Sequence, residues 1–372
     1  MIIGVPREVK ADEYRISLTP DKVDLLVSEG HTVLVEEGAG LGSDFKDAEY
    51  KTVGARIVDE ASKVFDESDM IVKVKEPQPQ EYDLFHENQV LLTYLHLAAE
   101  PELTNKLLSA RVTGIAYETV QEDDGSLPLL YPMSEIAGKL APQIASSLLL
   151  TTAGGPGKLL SGVPGTAPLH VAIVGGGTVG MNAALVARAL GARVTILDIN
   201  LERLRDISLT LQGTVQTIVA TPRNVADTLS QADVVVGAVL VPGAAAPRVI
   251  TREMVRGMRE GAIIIDVAID QGGCVEGIRG TTHSVPTYAM DGVAHYAVPN
   301  IPGIVANTSS ISLSNASYSY VLRLAKAGAE QAIRQSEPIA KGVNTLRGHM
   351  TYFAVAEALD LGYVPIEQAL TS

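Results

Sequence analysis

The first third of the chain alternates short apolar runs with stretches of helical period. Runs of strand length lie at 2–5, 32–35, 70–74, 89–95 and 113–117, with a short β-like segment at 56–58. Between them, helical patterns occupy roughly 20–30, 47–53 and 100–110. Thr19-Pro20 supplies an N-cap residue and a first-turn proline for the first of these. Strands alternating with helices predict a parallel, doubly wound sheet. No glycine fingerprint accompanies this half.

The middle of the chain changes character. Residues 133–152 read as one long helix, with a kink expected at Pro142, and 153–168 form a loop dense in Gly and Pro. Then comes HVAIVGGGTVGMNAALVARALGARVTILD, from His170 to Asp198. Further apolar runs follow at 214–219, 233–240, 261–269 and 295–298, separated by helical patterns. Six β-runs fit a six-stranded Rossmann sheet. From about residue 308 the pattern is helical to 361, with no further strand expected. The chain is therefore expected to return to its first domain. The predicted fold class is α/β: two doubly wound Rossmann-like domains, the first discontinuous, joined by long helices with a cleft between them. The boundaries expected are 1–130 with 307–372 for a substrate domain, and 131–306 for a dinucleotide domain that includes the linking helix.

The glycines at 175, 177 and 180 make G-x-G-x-x-G between an apolar strand and a helix. Gly175 permits the tight turn, Gly177 lets backbone approach a pyrophosphate, and Gly180 lets helix and strand pack closely. Asp198 ends the second strand of the unit, where an acid can accept hydrogen bonds from a ribose diol. The pattern predicts dinucleotide binding. An acid at this position repels a 2′-phosphate and so favours NAD over NADP, with Arg203 and Arg205 nearby pulling the other way.

Composition narrows the class. The net charge of −14 argues against nucleic acid or an anionic membrane as partner. The one cysteine, Cys274, excludes an internal disulfide and suits a reducing compartment. The chain enters a strand at once, with no charged leader and long apolar core, and no uncharged apolar stretch reaches membrane-spanning length. A cytoplasmic protein is expected. The histidines are too scattered to read as a metal site, so no metal is expected.

Three residues share one topological position. Lys75, His96 and Asp270 each follow an apolar β-run at its carboxyl end, where α/β folds build sites. Arg15 follows the first strand by one loop, and a guanidinium can clamp a carboxylate with two hydrogen bonds. A histidine titrates near neutrality and suits proton transfer. Each has a plainer reading: solvated surface for Arg15 and Lys75, satisfied core for His96, a loop cap for Asp270. Lys73, two residues from Lys75, shows how little lysine alone decides.

Long strings around these residues carry a resemblance. GVPREVKADEYRISLTP, MIVKVKEP, LLTYLHLAA, IAYETV, PLLYPMSEIAG, VTILDIN, IIIDVAIDQGGCVE and YAVPNIPG are similar to bacterial NAD-dependent L-alanine dehydrogenases. That family also includes the nucleotide-binding alpha part of proton-translocating transhydrogenase. The resemblance runs from Met1 to about Gly342. It implies that Arg15 binds the substrate carboxylate, Lys75 contacts the carbonyl, His96 is the acid/base and Asp270 an active-site aspartate. It places Met133 beside substrate and nicotinamide. Cofactor contacts are implied for Ser134, Gly175, Gly177, Thr178, Val179, Gly180, Asp198, Arg203, Val239, Leu240, Val267, Asp270 and Asn300. The reaction implied is oxidative deamination of L-alanine to pyruvate and ammonia with NAD, by a homohexamer. A transhydrogenase-like nucleotide carrier is the alternative, and a non-catalytic nucleotide sensor a third. Pro156, Ala220 and Asn307 depart from the family pattern.

Overall fold

A computed structural model describes residues 1–239 and 246–371. Among these residues two sheets form. The strands of the first half are β1 (Ile2–Val5), β2 (Thr32–Glu36), β3 (Arg56–Val58), β4 (Met70–Val72), β5 (Val90–Thr93) and β6 (Thr113–Ala116). Next come β7 (His170–Val174), β8 (Arg193–Asp198), β9 (Gln216–Val219), β10 (Val234–Gly237), β11 (Ile263–Asp266), β12 (Thr287–Met290) and β13 (Val293–Tyr296). The last are β14 (Val343–Leu346) and β15 (His349–Met350). The chain divides into two compact units, Met1–Pro132 with Gly303–Ser372, and Met133–Pro302.

Unit 1 holds an eight-stranded sheet in the order β15-β14-β6-β5-β4-β1-β2-β3. β1 to β6 run parallel, while β14 lies antiparallel to β6 and to β15. The central strands are largely apolar because helices cover both faces; β4 and β5 are buried at every residue. Unit 2 holds a seven-stranded sheet in the order β12-β13-β11-β10-β7-β8-β9. All its pairs are parallel except β12–β13. The order reverses between β7 and β10, the switch point at which ligands bind in such sheets. Both doubly wound sheets were legible in the alternation of runs.

Three local expectations are corrected. The C-terminal region is not all helical: Val343–Leu346 and His349–Met350 form a hairpin on the sheet of unit 1, turning at Arg347-Gly348, both at positive φ. The Rossmann sheet has a seventh strand, β12, turning into β13 at Asp291-Gly292 with the same backbone signs. Two-residue turns of this kind match the twist of paired strands. The run at 261–269 is not one strand. β11 stops at Asp266, and Val267–Gln271 is a 3-10 turn started by the Asp266 side chain, which accepts the Ala268 N–H at 3.0 Å.

Candidate active site

In unit 1 the loop after β1 carries Arg15, which is 2% exposed. Its Nε and Nη2 donate to the two oxygens of Glu13 at 2.7 and 2.6 Å. Burial alone would raise the Glu13 carboxyl, but the Arg15 guanidinium outweighs it and holds the pKa at about 2. The Arg15 loop is pinned from behind by the helix Ala306–Ala327. Ile16 N–H donates to Ser310 Oγ and Thr19 N–H to Ser314 Oγ. Asn307 of the same helix donates to the Ser43 carbonyl, and the Ser43 hydroxyl donates to the Tyr14 backbone carbonyl. Thr19 thus sits at the N-cap position but directs its hydroxyl to Asp21 and Ser314 rather than to the helix backbone. A cavity of about 440 Å³ opens beside Arg15, lined by Glu8, Lys10, Glu13, Tyr14 and Gln80 among others.

The two neighbouring lysines after β4 separate cleanly. Lys73 is fully enclosed and ion-paired to Glu81 at 2.7 Å and to Glu8 at 3.3 Å. It is structural. The Lys75 side chain, also buried, has no ion pair or side-chain hydrogen bond among the described residues; only its backbone is bonded, to Glu8 and Thr93. Its charge is felt by Glu13 and Glu76. A buried ammonium without a partner is unfavourable in a finished core, so Lys75 is poised for a ligand.

His96 follows β5 with φ 49° and ψ 34°, a left-handed conformation that non-glycine residues adopt rarely. Glu118, just past β6, holds it there. Its carboxylate accepts the N–H groups of Leu95 and His96, the latter at 2.7 Å, and lies 3.9 Å from the ring Nδ1. Tyr94 stacks on the ring at 6.1 Å between centroids. Burial raises the Glu76 carboxyl, but Lys75, Lys10 and His96 more than reverse this, which sets His96 and Lys75 around one carboxylate. Glu13 and Glu118 were not singled out in the sequence. Glu118 carried the same signal as Lys75 and His96, a polar residue at the carboxyl end of a parallel strand.

Unit 2 presents the glycine turn. A Cβ on Gly175 would overlap the Ala238 carbonyl, and one on Gly180 the Gly175 carbonyl. Gly177 is different: a Cβ there meets nothing within 4 Å. It caps the twelve-residue helix Thr178–Ala189, which begins with Thr178 and Val179. The open side of the turn and the free helix N-terminus fit a pyrophosphate. Asp198 accepts the Gly176 N–H at 2.6 Å and the Asn200 N–H at 2.8 Å, and Arg203 Nε donates to the Gly176 carbonyl. Both side chains therefore buttress the turn, while the carboxylate keeps lone pairs for a diol. Val239 follows β10 with its nitrogen against the turn at Gly175. Leu240 lies outside the described residues. Val267 and Asp270 lie in the 3-10 turn after β11, and both Asp270 oxygens accept the Asn300 N–H at 3.2 and 3.3 Å. Met133 and Ser134 belong to the first turn of the helix Tyr131–Leu148. That helix packs at Gly138 on Val179 and Asn182. Among the described residues no group of three His, Cys, Asp or Glu could hold a metal.

The alanine dehydrogenase/PNT N-terminal domain model matches residues 4–137 and the C-terminal domain model residues 141–353. The chain belongs to this alanine dehydrogenase/PNT family. It is 52% identical over 371 residues, covering 100% of both chains, to an alanine dehydrogenase of Methanococcus maripaludis. A solved L-alanine dehydrogenase superposes with a TM-score of 0.93 at 45% identity, over 97% of this chain and 99% of that one. A transhydrogenase from Sinorhizobium meliloti superposes with a TM-score of 0.80 at 25% identity, over 95% and 100%. Transhydrogenase is thus the more distant branch of the alanine dehydrogenase/PNT family. The family and its Rossmann sheet imply a nicotinamide dinucleotide cofactor and a small-molecule substrate. No helix among the described residues is long and apolar enough to cross a membrane.

Proposed function

We propose that the protein is an NAD-dependent L-alanine dehydrogenase: L-alanine, NAD⁺ and water give pyruvate, ammonium, NADH and a proton, reversibly. The observation that carries this reading is the buried Lys75 ammonium, which among the described residues lacks a protein partner beside the Glu13–Arg15 pair. A transhydrogenase has no small substrate for such a group to hold.

Arg15 binds the substrate carboxylate, its orientation fixed by Glu13. Lys75 faces the substrate oxygen and stabilises the negative charge that develops there. His96 takes the proton of the water that adds to the iminium carbon and returns a proton to the departing amine. Glu118 keeps the imidazole in place. Gly175, Gly177, Gly180, Thr178 and Val179 hold the pyrophosphate; Asp198, with Arg203 behind it, takes the ribose diol and selects NAD. Ser134, Val239, Leu240, Val267 and Asn300 serve the rest of the cofactor, and Met133 the substrate and nicotinamide. Asp270 orients water or His96. The nicotinamide, when bound, accepts the hydride from Cα. The family resemblance supports a homohexamer, which a solution mass tests, and the free, buried Cys274 suits the cytoplasm. Absorbance assays of NADH formation with NAD⁺ and a panel of amino acids test the reaction. L-Alanine should be the best substrate; NADH formation only with a second nucleotide as hydride donor would overturn the reading.

A further inference from the structure

The cavity beside Arg15 rests on a largely buried charge cluster with an even tally, in which only Lys10 reaches solvent with more than a third of its side chain. Four carboxylates, Glu8, Glu13, Glu76 and Glu81, face four cations, Lys10, Arg15, Lys73 and Lys75. Three pairs are satisfied: Glu13 with Arg15, Glu81 with Lys73, and Glu76 with Lys10. Glu8 and the Lys75 ammonium remain. They are not joined to each other: Glu8 accepts the backbone N–H of Val74 at 2.6 Å and of Lys75 at 3.4 Å, and shares Lys73 only at 3.3 Å. The Glu8 side chain is 4% exposed and lines the cavity. If an anion enters with its carboxylate on Arg15 and its oxygen towards Lys75, the balance of the cluster is lost and Glu8 becomes the surplus negative charge in a site of low dielectric. A buried unmatched carboxylate is relieved most cheaply by a proton.

Resting on the alanine dehydrogenase reading, we propose that entry of the anionic keto acid is coupled to uptake of one proton from solvent by Glu8. Zwitterionic L-alanine brings no net charge and draws no such proton. Glu8 is the carboxylate of the cluster best suited to this. Burial pushes its pKa up to about 7; Lys73 opposes, and Glu13 and Glu81 add to the rise. Arg15 and Tyr117 also face it. Its oxygens hold the backbone at Lys75, so the proton lands on the segment that carries the substrate-binding ammonium. Keto-acid affinity should consequently fall as pH rises through neutrality, up to about tenfold per pH unit.

The test is calorimetric titration of pyruvate into the NADH-loaded protein, without ammonium, in two buffers of different ionisation enthalpy. Uptake should be small near about pH 6, where Glu8 already holds its proton, and approach one proton near about pH 8. L-Alanine titrated into the same complex should draw none. The variants divide the assignment between Glu8 and His96: uptake persists in His96→Ala and disappears in Glu8→Gln. Should Glu8→Gln fail to fold, infrared difference spectra of the unaltered protein decide, a new protonated-carboxyl band on pyruvate addition being expected. Pyruvate binding without proton uptake, without that band, or with uptake that follows His96 overturns the proposal alone. Absence of any pyruvate- and ammonium-dependent NADH oxidation overturns both the proposal and the function beneath it.

Discussion

Two lysines two residues apart have opposite roles, and the difference is whom each one meets. Lys73 lies between two buried carboxylates; Lys73→Met should destabilise the protein by about 3–5 kcal/mol by leaving them uncompensated. Lys75→Met should fold with an unchanged Tm and lose nearly all turnover. Thermal melts beside steady-state rates check the pair, and equal losses of Tm would refute the division. Sequence could not make this distinction, since both lysines follow the same strand. Nor did it find Glu13, because nothing in the residue order announces that a loop carboxylate folds back on Arg15 two residues away. Glu13 has a consequence for pH. Its folded pKa is depressed to about 2, so its pairing stabilises the fold above the ordinary carboxylate range and is lost as pH falls from about 4.5 towards 2. A depression of that size corresponds to roughly 3 kcal/mol. Glu13→Gln should flatten the acid limb of the stability curve; an unchanged limb would count against a charged pair.

At the scale of elements, the strand–turn–helix of the dinucleotide unit was legible because each glycine has a separate physical reason. Those reasons predict different phenotypes. Gly180→Ala should lower the Tm, since its Cβ would overlap the Gly175 carbonyl. Gly177→Ala should leave the Tm unchanged, its φ of −65° and open side tolerating a methyl, and raise the KM for NAD⁺ about tenfold or more. Cofactor kinetics and melts on both variants check this; a lowered Tm for Gly177→Ala would place the open side wrongly. Asp198 holds the Gly176 N–H and is proposed to take the diol as well, so Asp198→Ala should weaken NAD⁺ and loosen the turn together. What the sequence did not yield were the two edge hairpins. Of their strands only β13 overlaps an apolar run legible in the sequence, at 295–298; β12, β14 and β15 are two to four residues long, too short for a period to show. Arg347-Gly348 and Asp291-Gly292 marked their turns, but the first sits in a region otherwise helical. Apolar runs also overstate strand length, as at β11, where Asp266 ends the ladder and starts a turn.

For the whole molecule, the proposed substrate groups Arg15, Lys75 and His96 belong to one unit and the proposed dinucleotide groups to the other. The chain passes between these units at Pro132–Met133 and Pro302–Gly303. The parallel alternation of strands and helices made both sheets readable, and the position of chemistry at strand carboxyl ends follows from that architecture. Because the two sets of groups are carried separately, removing one should spare the other's binding. The central claim is that His96 moves the protons of L-alanine deamination. Its most direct test is the His96→Ala variant, assayed for L-alanine-dependent NADH formation beside NADH binding by fluorescence. NADH affinity should stay within about twofold of that of the unaltered protein, with turnover reduced by about 10²–10⁴. Unchanged turnover with L-alanine would contradict it.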